Sequence, residues 1–288
     1  MAEILGVGLT HSPSLITPDE LKNYSLTRAL QSNDRIPAEH KNPESWPDAM
    51  REEWGDDEGY TAAKYQRGKL VDGFRKLRAE IDAFKPDVVL VWGDDQYENF
   101  KEDIIPAFCI MAYDEFECQP MAGRDGGQRP NVWDEPANKI FRYKGHESSR
   151  YLASALLQDG FDIAYSYKPL HQEGMGHAFI NTLLYLDYDR KGFDYPVIPF
   201  PVNCYGSNII RMRGGSSEHS DEPDPPSPTP KRCMEIGKAT AQVLMDSPYR
   251  VVVMASSSWS HAFLTKKNNW IYPDLPADRV LQIGRAHV

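Results

Sequence analysis

Apolar positions along this chain recur with period two in some stretches and with a helical period in others, and the two kinds of stretch take turns. Near the start, AEILGVGLT reads as a strand that stops at His11-Ser12-Pro13. Residues 32–60 are polar and rich in Pro and Trp, which predicts a long irregular excursion. Leu70, Phe74, Leu77, Ile81 and Phe84 then recur at spacings of four and three, the stripe of an amphipathic helix. Pro86 ends that helix, since proline has no N–H to continue it. VVLVW follows as a β-branched, buried strand, and IIPAFCIMAY, from Ile104, predicts the next one. Further on, 147–157 reads as helix and FDIAYSY as strand, 178–186 as helix and YPVIPFPV as strand, and 233–245 as helix and YRVVVMAS as strand.

Strands that alternate with helices predict an α/β fold: a single domain with a central, mostly buried β-sheet flanked by helices. The stretch GGSSEHSDEPDPPSPTP, 214–230, holds five prolines and predicts an inserted loop, because the alternation resumes after it.

In such folds the functional side chains gather where strands end. Four ends carry candidates: His11 in THSP; Asp94, Asp95 and Gln96 in GDDQ; His171, Glu173 and His177 in LHQEGMGHAF; and His261 in SSSWSHAFL. Each has a plainer explanation. A strand-end histidine is often only a hydrogen-bonded polar group, and Asp94 and Asp95 can cap the segment that follows them. Ser256, Ser257 and Ser258 lack a Gly-x-Ser-x-Gly elbow. His40, His146 and His219 stand in polar stretches where solvation suffices, and Trp92, Phe179 and Trp259 suit packing as well as stacking. Taken together, several imidazoles with carboxylates suit a mononuclear metal site with acid–base histidines nearby. Two His and one carboxylate on one face of a metal leave positions open for substrate and oxygen.

Charge and composition narrow the partners. A net charge of −10 argues against nucleic acid and anionic membrane, which need a basic surface. No apolar run approaches the roughly 20 residues that span a bilayer. MAEILGVGLTHSP lacks the basic and long apolar regions of a leader, so a cytoplasmic location is expected. The 4 cysteines show no Cys-x-x-Cys pair, which fits a reducing compartment.

THSP, VVLVWGDDQYENFKEDIIPAF, EGMGHAFINTLLYL, YPVIPFPVN and SSSWSHAFL, in that order and at strand ends, resemble the class III extradiol ring-cleavage dioxygenases. The type is that of the protocatechuate 4,5-dioxygenase catalytic subunit (LigB-like), and the likeness runs along most of the chain. It implies a LigB-like α/β domain over 1–282 and an Fe(II) site that cleaves a catechol-type ring beside its hydroxyls with O2. It also implies His11 as an iron ligand, His177 facing substrate and oxygen, and His261 as the acid–base histidine. The family's second ligand histidine falls on Gln96 here, whose amide oxygen is a neutral, weaker donor. Asp94 or Asp95 then becomes a compensating carboxylate. The partners implied are a small aromatic substrate and O2, with a homo-oligomer or a small companion subunit left open.

The last six residues, 283–288, match one reading frame of a common sequencing adapter, and Gln282 fits its edge. On that reading the natural chain continues, and the family's third ligand, a glutamate, lies beyond this one. Two alternatives stand beside the dioxygenase: a non-enzymatic, Memo-like scaffold on the same fold, motivated by Gln96, and a metal-dependent hydrolase using Asp94, Asp95 and His11.

Overall fold

A computed structural model describes residues 2–123, 126–171, 174–202, 225–257 and 265–285. In chain order the elements are β1 (Glu3–Leu9), α1 (Tyr24–Ser32), α2 (Asp48–Trp54), α3 (Tyr60–Phe84), β2 (Val88–Gly93), β3 (Cys109–Met111), β4 (Glu115–Cys118) and β5 (Phe141–Lys144). They continue with α4 (Ser148–Gln158), β6 (Ala164–Ser166), α5 (His177–Leu186), β7 (Val197–Pro201), α6 (Pro230–Met245), β8 (Arg250–Ser256) and α7 (Leu275–Arg285). The α/β class and the central sheet flanked by helices are as the sequence predicts.

The chain forms two compact units. The first comprises Met1–Pro13, Val71–Arg129 and Asp134–Ser257. Its centre is a four-stranded parallel sheet in the order β1-β8-β2-β7. Side chains alternate across a strand, so each of these strands offers two faces. One face presents Val88, Leu90, Ile198, Phe200 and Val251, which pack with Leu152 and Leu156 of α4 and Ile236 and Leu244 of α6. The residues between them, Val89, Val91, Val252 and Met254, are also buried, and α5 contacts β2 and β8. Nine successive residues of α5, from Ala178 to Leu186, are buried, as expected of a helix apolar all round. With both faces covered, β2, β7 and β8 are near-continuous apolar runs rather than alternating ones, whereas β1 is largely exposed. Phe74 of α3 stacks on Tyr185 of α5 at 5.2 Å between centroids. β3 and β6 form a short parallel pair, and β4 and β5 a short antiparallel pair.

The second unit comprises Ser14–Leu70, Pro130–Trp133 and Ser258–Val288. Within it Trp46 is buried, packs edge-on against Trp54 and donates from its indole nitrogen to the His40 carbonyl. Arg67 is held by the Leu15 and Thr17 carbonyls and by Asp19.

Two sequence expectations need correction. The stretch 32–60 is not wholly irregular: it contains α2, opened by Pro47 and anchored by its tryptophans. IIPAFCIMAY is strand only over Cys109–Met111. Ile104 instead closes a turn on Lys101, and Ile104 and Ile105 are exposed. Pro106 lacks the N–H that a ladder there would need. Most of the proline-rich stretch lies outside the described residues; its last residue, Pro230, opens α6 with Thr229 as cap.

Candidate active site

Parallel strands deliver their C-terminal ends to one edge of the sheet, and the loops leaving that edge share a crevice. Three such ends meet here: His11 after β1, the 94–99 loop after β2, and Ser256 closing β8. The N-terminus of α5 completes the group.

His11 is 2% exposed. Its Nδ1 lies 2.9 Å from Ser256 Oγ, and its carbonyl accepts a 2.9 Å bond from Asn181 Nδ2. Ser256 Oγ donates to the Ala178 carbonyl and lies 2.8 Å from Thr182 Oγ1. A hydroxyl has one proton to give. With Ser256 donating to Ala178, His11 is the donor at Nδ1, and its Nε2 keeps the lone pair. That nitrogen faces Asp94 Oδ1 at 3.8 Å.

Asp94 and Asp95 are adjacent and chemically alike, yet the fold gives them different work. Asp95 turns inward, 3% exposed, and accepts the backbone N–H groups of Glu98, Asn99 and Phe100 at 2.8–3.2 Å. Burial pushes its carboxyl up to about 6, against the pull of those three donors. It is the loop's cap, the plainer of its two explanations. Asp94 stays partly open and faces His11; its second oxygen accepts a 2.8 Å bond from Gln96 Nε2. Tyr97, in the same loop, holds φ at 60°, a conformation that non-glycine residues seldom adopt.

His177 is the first residue of α5. Its ring meets that of His11 edge to face, with centroids 5.2 Å apart. Its Nδ1 lies 2.8 Å from Glu98 Oε2, and its backbone N–H donates to the same carboxylate at 3.0 and 3.1 Å. Burial opposes the imidazolium, but the bond to Glu98 and the charges of Glu98, Asp94 and Asp95 outweigh it, so His177 holds its proton above the ordinary histidine range. Asn99 grips the loop before α5 from both sides. Its Oδ1 accepts from Gly176 N at 2.8 Å, and its Nδ2 donates to the Gly174 carbonyl at 3.1 Å. A Cβ on Gly176 would come within 2.9 Å of Glu98 Oε2, so a larger residue there would push the Glu98 carboxylate aside.

The arrangement brings together His11, Asp94, Gln96 and His177 of the sequence candidates. His171 sits instead in a surface pair with Asp103. His40 is half-buried in the second unit and bonded to Tyr272, and His146 is half-buried beside Ser148 and Tyr249, so neither is simply solvated. Trp92 stacks on Phe200 and Phe179 is fully buried, both as packing. Glu173, His219, Ser258, Trp259 and His261 lie outside the described residues. Glu98, Asn99 and Ser256's bond to His11 escaped the sequence reading. The only available signal was the polar YEN following GDDQ.

Among the described residues no three His, Cys, Asp or Glu side chains are placed to hold one metal ion. Two donors do fit an edge of such a site. Ligands about 2.1 Å from one divalent cation stand about 3 Å apart at right angles and about 4 Å apart when opposite. His11 Nε2 and Asp94 Oδ1, at 3.8 Å, fall within that span. An imidazole, a carboxylate and the nearby Gln96 amide form a mixed N/O set suited to a first-row divalent metal.

No family model matches the chain. Among curated proteins it is 26% identical over 189 residues to a 2,3-dihydroxyphenylpropionate/2,3-dihydroxicinnamic acid 1,2-dioxygenase of Photorhabdus laumondii, covering 65% of this chain and 47% of that protein. It is 27% identical over 194 residues to an enzyme of that name from Pseudomonas putida, covering 67% and 49%. With that of Paraburkholderia xenovorans it shares 28% over 184 residues, covering 64% and 46%. The chain spans about half the length of the curated relatives it matches. Among solved structures, a pyrrolidone carboxyl peptidase of P. furiosus overlaps at a TM-score of 0.33 with 16% identity, covering 61% of this chain and 76% of that one. An overlap that low carries no argument. No helix among the described residues is long and apolar enough to cross a membrane.

Proposed function

We propose that this protein is a non-heme Fe(II)-dependent extradiol dioxygenase that opens the ring of a catechol-type aromatic compound with O2. The observation that carries the reading is the meeting of His11, Asp94 and His177 at one sheet edge. A metal-competent nitrogen there lies beside a carboxylate, and a second imidazole stands ready to exchange a proton. The relatives' names support it and favour an enzyme over a Memo-like scaffold. They also make 2,3-dihydroxyphenylpropionate and 2,3-dihydroxycinnamate the first substrates to try.

On this reading His11 Nε2 and Asp94 hold the metal, with the Gln96 amide beside them. Bound ferrous iron would supply the Lewis acidity that favours a catecholate and the electrons that O2 activation needs. The chain's own residues do the rest. Ser256 keeps the His11 lone pair directed at Asp94. His177 takes up and returns a proton at the substrate hydroxyl. His261 is proposed as a second acid–base group, from the family resemblance alone.

The test is anaerobic Fe(II) titration followed by oxygen uptake with a panel of catechols that includes those two acids. Uptake with ring-opened product, abolished in His11→Ala, is the expected result. Iron bound through His11 with no uptake from any catechol would overturn the reading.

A further inference from the structure

The sequence reading made no use of Glu98, yet the fold spends a carboxylate on one histidine. Glu98 sits in the loop after β2, four residues beyond Asp94, and reaches the first turn of α5. Its carboxylate accepts both the ring Nδ1–H and the backbone N–H of His177. The cap residue of α5, Gly176, offers no side chain to the exposed N–H groups of the first turn. Glu98 fills that role from a distant part of the chain, and a negative charge suits this end of a helix. The two partners are about equally shielded, at 21% and 22% side-chain exposure. Asn99, next in sequence, ties Gly174 and Gly176 to the same loop, which holds the Glu98 backbone beside the start of α5.

A carboxylate is only an acceptor, so the imidazole nitrogen facing it must carry the proton. We infer that Glu98 is the positioning residue of His177: it locks the Nδ1–H tautomer and fixes the ring against His11, leaving Nε2 as the nitrogen that exchanges a proton with substrate. Among the described residues Nε2 of His177 has no hydrogen-bond partner, which is the state such a role requires. In the proton step a catechol O–H bond breaks and an N–H bond forms at Nε2. The phenol becomes phenolate, and the imidazole becomes an imidazolium whose second N–H is already bonded to Glu98. The same loop presents Asp94 to His11 and Glu98 to His177, so one segment sets the spacing of both imidazoles. This inference rests on the dioxygenase reading for its chemistry but not for its geometry.

Two-bond 1H–15N spectra of the histidine rings test it without turnover, with His177→Asn used to assign the His177 signals. At a pH high enough to leave the ring neutral, wild-type protein should show His177 as the Nδ1–H tautomer. Glu98→Ala should release it to a mixture dominated by Nε2–H. Glu98→Gln, which keeps an acceptor oxygen, should retain most of the wild-type pattern. On activity, Glu98→Ala should lower kcat about 10- to 100-fold, the range typical of losing an outer partner. KM should stay within about threefold, and Glu98→Gln should recover most of kcat. A neutral wild-type ring in the Nε2–H tautomer, or unchanged ring shifts in Glu98→Ala, would overturn the inference. If Glu98→Ala fails to fold, the wild-type spectrum and Glu98→Gln still decide. Failure of the oxygen-uptake screen with the tautomer result intact would count against the dioxygenase reading alone.

Discussion

The imidazoles of His11 and His177 stand edge to face, 5.2 Å apart at 89°, each fastened at Nδ1 by a different partner. Ser256, a neutral hydroxyl, holds His11; Glu98, a carboxylate, holds His177. A neutral partner leaves Nε2 of His11 suited to a metal, whereas a charged partner makes His177 the better holder of a proton.

That division sets a graded expectation for metal binding. His11→Ala removes the nitrogen that faces Asp94 and should weaken Fe(II) binding by more than about 100-fold. Ser256→Ala removes only the orienting partner and should cost about 10- to 100-fold. Anaerobic titration of both variants measures the gap. Equal losses would show that the metal is not on His11.

Gln96 donates its amide to Asp94, so it both occupies and orients that carboxylate. Gln96→His exchanges a weak neutral donor for an imidazole and should tighten Fe(II) binding by about tenfold, given the preference of such metals for imidazole. Weaker binding would show that Gln96 serves the site through Asp94.

Asp95 makes stability depend on pH in a defined direction. Its carboxyl is raised from 3.8 to about 6 by burial, so between those values the folded protein binds more protons than the unfolded chain. The contribution is present below the unfolded value and is lost as pH rises to about 6, in total on the order of 3 kcal/mol. Asp95→Asn lacks this dependence. Urea unfolding at pH 4.5, 5.5 and 6.5 should show the stability of wild type falling relative to the variant across the series. A constant difference would mean that the carboxyl titrates normally.

Gly174 links the site to the β4–β5 pair. It holds φ at +79°, and a Cβ there would lie 2.3 Å from the Glu117 carbonyl oxygen and 2.4 Å from Cys118 Sγ. Gly174→Ala combines a left-handed backbone cost of about 1–2 kcal/mol with overpacking of about 1–3 kcal/mol. A loss of about 3 kcal/mol in urea unfolding is expected. Because the Gly174 carbonyl accepts from Asn99, activity should fall as well.

Much of the fold was legible because it is written in local periodicity. The runs that became β1, β2, β7 and β8 carry uninterrupted apolar or β-branched residues, and α4, α5 and α6 show helical spacing. The β4–β5 pair was not legible: four-residue strands such as EFEC are too short for alternation to stand out. Nor was α2, which leans on contacts of Trp46 and Trp54 rather than on an apolar stripe.

The site divides in the same way. The sequence alone determined that His11, Asp94, Asp95, Gln96 and His177 stand at element ends, because a buried run must stop where polar residues begin. It could not separate Asp94 from Asp95, two like residues side by side. Only the tertiary structure decided that one faces an imidazole while the other is consumed by three backbone N–H groups. Nor could it single out Glu98, which reads as one more solvated acid until the end of β2 is laid against the start of α5. That contact joins segments far apart in the chain, and no local pattern encodes it.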